Sequence, residues 1–173
     1  QVAAWKESHL DPAEDPLESY VRVLQFDPQN PIALRAVERA YVERPCWDGL
    51  YKLYGQELAG VDVPSRRADL CMKMGELAER RLDDTEGAIS AYEMALDATH
   101  DLLPALDRLK ELYGKLGRAE DELKIAALEA NASKDPAKAI ATLLEVGALQ
   151  RDKFNDAAAA IESFQKVLSR EPA

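Results

Sequence analysis

The chain has 173 residues, of which 47% are hydrophobic and 31% are charged, a balance typical of a folded, soluble protein. Its formal net charge of -10 argues against binding to nucleic acid or to a membrane surface, since both need clustered Lys and Arg. The sequence has neither an apolar run long enough for membrane insertion nor a signal peptide, and its two cysteines, Cys46 and Cys71, suit a reduced, cytoplasmic setting.

Almost every segment carries apolar residues at helical spacing, and no segment has a convincing strand pattern. Asp84 and Asp156 stand where helix N-caps belong, and Asn30 and Asp135 are each followed by proline, as at many helix starts. The pattern predicts ten helices, in chain order at residues 1–10, 15–27, 31–44, 47–59, 64–82, 85–98, 102–116, 118–131, 135–153 and 156–170.

The sequence repeats itself after 72 residues. Such self-similarity is the signature of a stacked array of helical units. The first copy contains Pro64, Gly75, Leu77, Asp84, Ala88, Ile89 and Leu96, and the second contains Pro136, Gly147, Leu149, Asp156, Ala160, Ile161 and Leu168. Leu82 is replaced by Phe154 and Tyr92 by Phe164, while Leu10, Leu17, Tyr20 and Leu24 belong to a partial earlier copy.

Paired as hairpins, the predicted helices form units of alternating length, two shorter and two longer, after a partial unit at the start. The units are 1–28, 29–62, 63–100, 101–134 and 135–172. No Gly/Ser-rich or Pro-rich linker interrupts them, so we expect a single solenoid over residues 1–173. Because the chain starts at Gln1 in the middle of a repeat, we expect it to be a fragment of a longer array.

These residues resemble the tetratricopeptide repeat (TPR), in which W-x2-L-G-x2-Y is followed by A-x3-F and a proline. In residues 63–100 the matching positions are Cys71, Met74, Gly75, Ala78, Ala88, Tyr92 and Ala95. The resemblance implies an all-α, right-handed superhelix of about five antiparallel hairpins, of the long bacterial type that alternates short and long units. Sel1-like and HEAT repeats are the alternatives.

The sequence offers no catalytic or metal-binding constellation. His9 and His100 are the only histidines, and no nucleophile or carboxylate partner accompanies either one. No phosphate-binding loop, dinucleotide fingerprint or metal motif is present. We therefore expect no enzymatic activity and no cofactor within these residues.

In proteins of the resembled family, the first helices of successive hairpins line a concave groove that takes a peptide or a helix. Carried over to this chain, the groove candidates are Arg35, Arg39, Asp69, Met72, Glu76, Glu79, Asp107, Glu111, Leu144, Ala148 and Arg151. Such a groove is basic at one end, acidic in the middle and more apolar at the far end, which favours a partner segment with Lys or Arg. The alternative is that these residues form ordinary solvated helix faces.

Trp47 opens a helix outside the repeat pattern, where it either caps a hairpin core or marks a contact patch.

The resemblance implies a non-catalytic scaffold that binds another protein. Two alternatives remain open: a structural spacer that self-associates through its solenoid ends, and a regulatory module attached to an enzyme outside these residues.

Overall fold

The computed structural model describes residues 16–170, and the predicted helix at 1–10 lies outside them. This part of the chain forms two compact units, unit 1 up to residue 88 and unit 2 from residue 89. Within the described range all regular structure is helical. The helices are α1 (Pro16–Phe26), α2 (Pro31–Glu43), α3 (Trp47–Ala59), α4 (Pro64–Leu77), α5 (Thr85–Ala98), α6 (Leu103–Leu116), α7 (Ala119–Ala132), α8 (Pro136–Asp152) and α9 (Ala157–Arg170).

Each unit is built by packing helices that follow one another in the chain. In unit 1, α1 packs on α2, α2 on α3, and α3 on α4. In unit 2, α6 packs on α7, α7 on α8, and α8 on α9. Helix α5 runs across the division between the units. This neighbour-on-neighbour packing is the arrangement that the repeated sequence predicts.

The predicted caps start the helices. The side-chain oxygen of Asn30 accepts from the backbone N–H of Ala33 at 3.1 Å. Asp84 accepts from Gly87 at 2.9 Å. Each cap satisfies an N–H group that has no partner within its own helix. Asp135 and Asp156 cap α8 and α9 in the same way, by accepting from Ala137 and Ala159.

The hairpin turns of the two long units share one geometry. Asp83 and Asn155, at equivalent positions of the repeat, have φ angles of 54° and 52°, in the left-handed region that Asp and Asn tolerate better than most residues. The next N–H then bonds six residues back: Asp84 to Ala78 at 3.0 Å and Asp156 to Gln150 at 2.9 Å. Gly75 lies 13 residues before Ala88, one more than in the resembled repeat. In the first copy a π-helical turn, Ala78–Leu82, takes up this extra residue and continues α4.

The core consists of the predicted apolar stripes. Leu70, Cys71, Met74, Leu77 and Ala78 are buried along α4 and its continuation. On α5 the buried residues are Ala88, Ile89, Ala91, Tyr92 and Ala95. Cys71 is buried in this core, Cys46 is exposed just before α3, and both thiols are free.

The expected close approach of paired helices is present in the last hairpin. A Cβ atom added to Gly147 on α8 would lie 2.4 Å from the Phe164 ring of α9, so no side chain fits there without movement. The Phe164 ring lies against its own hairpin partner, because the missing side chain of Gly147 leaves room for it.

Candidate partner-binding grooves

Unit 2 contains a groove of about 610 Å³ between α6, α7 and α8. We call it the unit 2 groove. Its lining residues are Asp107, Lys110, Glu111, Gly114, Glu122, Glu145, Ala148, Leu149, Asp152 and Lys153. Three of the candidates predicted from the sequence, Asp107, Glu111 and Ala148, thus lie together in it. The apolar floor at Ala148 and Leu149 lies within a rim of five carboxylates and two ammonium groups.

The rim carboxylates are held by short ion pairs at the surface. Glu111 lies 2.6 Å from the Arg108 guanidinium and 2.7 Å from the Lys115 ammonium. The hydrogen bond from Lys115 and the charge of Arg108 lower the pKa of Glu111. Asp152 is likewise bound by its neighbour Arg151, which lowers the pKa of Asp152. These neighbouring cations therefore favour the ionised form of Glu111 and of Asp152.

A buried carboxylate, Glu129 of α7, lies behind this rim with only 1% of its surface exposed. Its oxygens lie 2.7 Å from the Lys110 ammonium and 3.2 Å from that of Lys138, although neither contact has hydrogen-bond geometry. Burial disfavours the charge of Glu129, but Lys110 and its other neighbours outweigh burial and lower its pKa. Lys110 also reaches Glu145, and Lys138 also reaches Asp107.

Glu129 was not among the residues predicted from the sequence. In sequence, a glutamate on a helix with a weak repeat match looks like any solvent-exposed residue. The two lysines that surround it come from other helices. One signal was available. Glu129 falls in an apolar stretch with Ile125, Ala126 and Ala130, which are all buried on the same helix.

Unit 1 contains a smaller cavity of about 310 Å³, which we call the unit 1 hollow. Its lining residues are Val42, Trp47, Leu50, Tyr54, Lys73, Glu76, Leu77, Arg80 and Arg81. The candidates Glu76 and Trp47 therefore lie in the same cavity. Among the described residues that line it, Glu76 is the one carboxylate beside three cationic side chains, so the surroundings of Glu76 differ from the acidic stretch that we expected.

Trp47 is half-buried, and the guanidinium of Arg81 lies 4.8 Å from the centre of its ring. Lys73 is held beside it by Glu38, at 2.8 Å, and lies 5.1 Å from the centre of the Tyr54 ring. Cations over aromatic faces are favourable contacts, so this wall of the hollow is both aromatic and positively charged.

Arg35 and Arg39 line a separate cavity in unit 1 of about 440 Å³, together with Tyr20, Pro31, Ile32 and Ala36. Among residues 16–170, no carboxylate lines this cavity. Arg39 makes only a long contact, 3.9 Å, with Glu43. Arg35, Arg39 and Val42 lie on one face of α2, since they are spaced at helical intervals.

The other sequence candidates do not line these cavities. Asp69 is exposed and Met72 half-buried on α4, and Glu79 is half-buried in the π-helical turn. Leu144 is exposed on α8, and Arg151 pairs with the adjacent Asp152 at 2.6 Å.

The unit 2 groove and the corresponding face of unit 1 carry opposite charge at equivalent positions. Each of the ten residues that line the unit 2 groove has an equivalent 72 residues earlier, in unit 1. Seven of these equivalents line the unit 1 hollow: Val42, Leu50, Lys73, Glu76, Leu77, Arg80 and Arg81. Five of the ten positions reverse in sign. The reversed pairs are Arg35/Asp107, Glu38/Lys110, Arg39/Glu111, Lys73/Glu145 and Arg80/Asp152.

The reversal changes the net charge of the ten positions. In unit 2 they comprise five carboxylates and two lysines, a net charge of -3. The same ten positions in unit 1 comprise five cationic and two anionic residues, a net charge of +3.

Residues 16–170 contain no group of three His, Cys, Asp or Glu side chains placed to hold a metal ion. Across the same residues, no helix is long and apolar enough to span a bilayer.

No protein-family model matches the sequence, and no curated protein sequence matches it. Solved structures do match the fold. Two crystal structures of MamA each cover 98% of this chain with a TM-score of 0.53, at 18% and 19% sequence identity. The alignments cover 94% and 88% of the MamA chains.

The crystal structure of YrrB, described as a TPR protein with an unusual peptide-binding site, covers 98% of this chain. The alignment spans 83% of the YrrB chain, with 18% identity and a TM-score of 0.53. The expected helical-repeat fold is confirmed: residues 16–170 are all-α, and the chain has the fold of tetratricopeptide proteins.

Proposed function

We propose that this chain is a non-catalytic scaffold that binds a segment of another protein in the unit 2 groove. The segment presents an apolar side chain to Ala148 and Leu149 and Lys or Arg side chains to the rim. A cytoplasmic setting, which suits the free thiols of Cys46 and Cys71, is part of this proposal.

The observation that carries the proposal is the combination of an apolar floor and a charged rim within one cavity of about 610 Å³. A concave, partly apolar cavity with convergent polar groups is the usual form of a binding site. Its volume suits a few side chains of an extended or helical segment rather than a large domain surface. The rim then decides which segments bind and how fast they associate.

The rim charges are available although each is already paired. Exposed ion pairs each contribute only about 0–1 kcal/mol to the stability of the fold. A cation of the partner can therefore replace the Lys or Arg that pairs with a rim carboxylate at little cost in free energy. Glu111 shows this most clearly, because its two cations, Arg108 and Lys115, both remain close to solvent after exchange. Lys110, by contrast, is held by the buried Glu129 and remains in place.

The proposal is tested by fluorescence anisotropy with a labelled synthetic peptide of Lys and Leu. We expect Glu111→Lys to weaken binding of this peptide about tenfold, the effect of losing a well-placed rim charge. Glu162→Lys changes the net charge of the chain equally, but Glu162 is exposed on α9 and lines no described cavity. We expect it to weaken binding less than about twofold at physiological salt, where distant charges are screened.

The apolar floor is tested separately with the pair Ala148→Glu and Ala141→Glu. Both residues lie on α8, but Ala141 is exposed outside the groove. Ala148→Glu should abolish measurable binding, while Ala141→Glu should leave it intact. Equal losses from Glu111→Lys and Glu162→Lys would contradict the proposal, since they would show attraction to the overall negative charge. Equal effects of Ala148→Glu and Ala141→Glu would contradict an apolar contact at Ala148.

Self-association is a second candidate function, supported by one observation. Ile161 on α9 is 55% exposed, whereas its repeat equivalent Ile89 is 3% exposed. Leu168, two helical turns beyond Ile161, is 71% exposed. Sedimentation velocity tests this candidate: mass should rise with protein concentration, and the double variant Ile161→Glu/Leu168→Glu should abolish the rise. A constant monomer mass would eliminate it.

A further inference from the structure

We propose that the unit 1 hollow is a second recognition site, and that its occupant is an acidic peptide segment with an apolar anchor. This inference rests on the proposed function in treating such cavities as partner-binding sites. It goes beyond that function because the site is separate and has the opposite charge preference.

The charge of the hollow favours a negatively charged ligand. Among its described lining residues, three are cationic, Lys73, Arg80 and Arg81, and one, Glu76, is a carboxylate. Arg80 is exposed and forms no ion pair within residues 16–170, so a partner carboxylate reaches it without breaking an existing contact. Charge complementarity of this kind sets association rate and excludes partners of the wrong sign.

The aromatic wall supplies the anchor site. Trp47 stands at the repeat position that Ala119 occupies in unit 2, so only the unit 1 hollow has an indole. Arg81 lies over its ring, and Val42 is 51% exposed beside it in the same cavity. Tryptophan and arginine are the residues most enriched at binding hot spots. An apolar side chain of the partner packs here while its carboxylates reach Arg80.

The backbone beside the hollow is also unusual. Arg80 and Arg81 belong to the π-helical turn Ala78–Leu82 that continues α4. Single π-helical turns are rare and occur frequently at functional sites. The equivalent segment of unit 2 carries Asp152 and Lys153 and pairs Lys153 with Glu122 at 3.1 Å. Since Leu50 replaces Glu122 in unit 1, Arg81 is left to contact Trp47.

The experiment uses the full chain and two labelled synthetic peptides of equal length, one of Glu and Leu and one of Lys and Leu. Anisotropy titrations are made with the wild type and with Arg80→Glu, Arg22→Glu and Glu111→Lys. Arg22 is an exposed residue of α1 that lines no described cavity, so Arg22→Glu matches the charge change of Arg80→Glu. Circular dichroism confirms that each variant folds.

We expect Arg80→Glu to weaken binding of the Glu/Leu peptide about tenfold and to leave the Lys/Leu peptide within about twofold. Arg22→Glu should change neither. Glu111→Lys should weaken only the Lys/Leu peptide, so the two sites fail separately. In a Trp5→Phe background, where Trp47 is the only tryptophan, saturation with the Glu/Leu peptide should shift the indole emission.

Several outcomes would overturn the inference while leaving the unit 2 groove untouched. These are no binding of the Glu/Leu peptide, equal losses from Arg80→Glu and Arg22→Glu, or binding that leaves Trp47 emission unchanged. A dimer that Arg80→Glu dissociates would also overturn it, because a second copy of the chain would then occupy the hollow.

Discussion

The unit 1 hollow and the unit 2 groove show how one repeat can keep its packing and change its surface. In unit 1, Lys73 contacts Glu38 at 2.8 Å; in unit 2, Glu145 contacts Lys110 at 3.1 Å with the charges exchanged. The ion pair between the helices therefore survives, while the net charge of the cavity changes sign. In this way a repeat protein can offer surfaces of different charge to different partners while its helices pack in the same way.

The two units differ more in the ion pairs made by their less exposed glutamates. Glu129 and its repeat equivalent Glu57 both contact the cation that lies near the start of the following helix, Lys138 and Arg66 respectively. Glu129 additionally contacts Lys110, and its side chain is 1% exposed, against 12% for that of Glu57. The carboxylate of the pair is thus more deeply buried in unit 2 and has a second cation there.

The largest expected effect comes from removing this interior charge. We expect Glu129→Gln to lower the free energy of unfolding by about 2–3 kcal/mol, somewhat less than for a fully enclosed pair because Lys110 and Lys138 keep other carboxylates. Glu57→Gln should cost less, about 1 kcal/mol, because Glu57 has one cation and that cation, Arg66, is half exposed. Urea unfolding followed by circular dichroism measures both. Equal losses would mean that burial does not distinguish the two pairs.

The same variant predicts a pH dependence. Because the pKa of Glu129 in the folded protein lies below the ordinary value of 4.5, its ionisation stabilises the fold above that pH. This stabilisation is lost as the pH falls through the lowered pKa. The stability difference between the wild type and Glu129→Gln should therefore be largest at neutral pH and shrink in acid. A difference that stays constant with pH would contradict the assigned charge.

Much of the fold could be predicted from the sequence, because it follows from local rules. Helices α3 and α5 have the predicted bounds, and the predicted caps bind the expected N–H groups. The helix expected over 64–82 remains α-helical only to Leu77 and then continues as a π-helical turn. The extra residue in the long units was visible, but helical periodicity does not distinguish the two helix types over one turn.

The candidate sites were only partly predictable. Asp107, Glu111 and Ala148 lie in one groove because helical spacing places them on facing helices. Glu76 was grouped with them because the resemblance places it at a groove position, but its neighbours come from α3 and from the π-helical turn, which the resemblance did not describe. Cavity charge depends on residues that are distant in sequence, so it emerges only once the helices are packed.

At the close crossing of α8 and α9, whether an added methyl group stabilises or destabilises the fold depends on the room around Gly147. Alanine favours a helix over glycine by about 1 kcal/mol, but overpacking costs about 1–3 kcal/mol. Gly147→Ala should therefore destabilise the chain by about 1 kcal/mol, since its methyl group meets the Phe164 ring.

Gly55→Ala is the matched control for this crossing, because the nearest atom to its added methyl group, in Met74, is 3.9 Å away. It should stabilise the chain by about 0.5–1 kcal/mol. Adding Phe164→Leu to Gly147→Ala should recover part of the loss. Thermal unfolding of the four proteins tests the set, and stabilisation by Gly147→Ala alone would contradict the close packing.

The smallest difference between the two long units should be found at their caps, where the two units are alike. Asp84 and Asp156 accept from the backbone N–H groups of Gly87 and Ala159 at 2.9 and 3.0 Å. Replacement of either aspartate by alanine should cost about 1 kcal/mol, and replacement by asparagine much less, since asparagine caps as well. If the two alanine variants differ by more than the cost of one cap, the repeat is not equivalent at its turns. Equal losses at the caps beside unequal losses at Glu57 and Glu129 would locate the divergence of the two copies in their side-chain contacts.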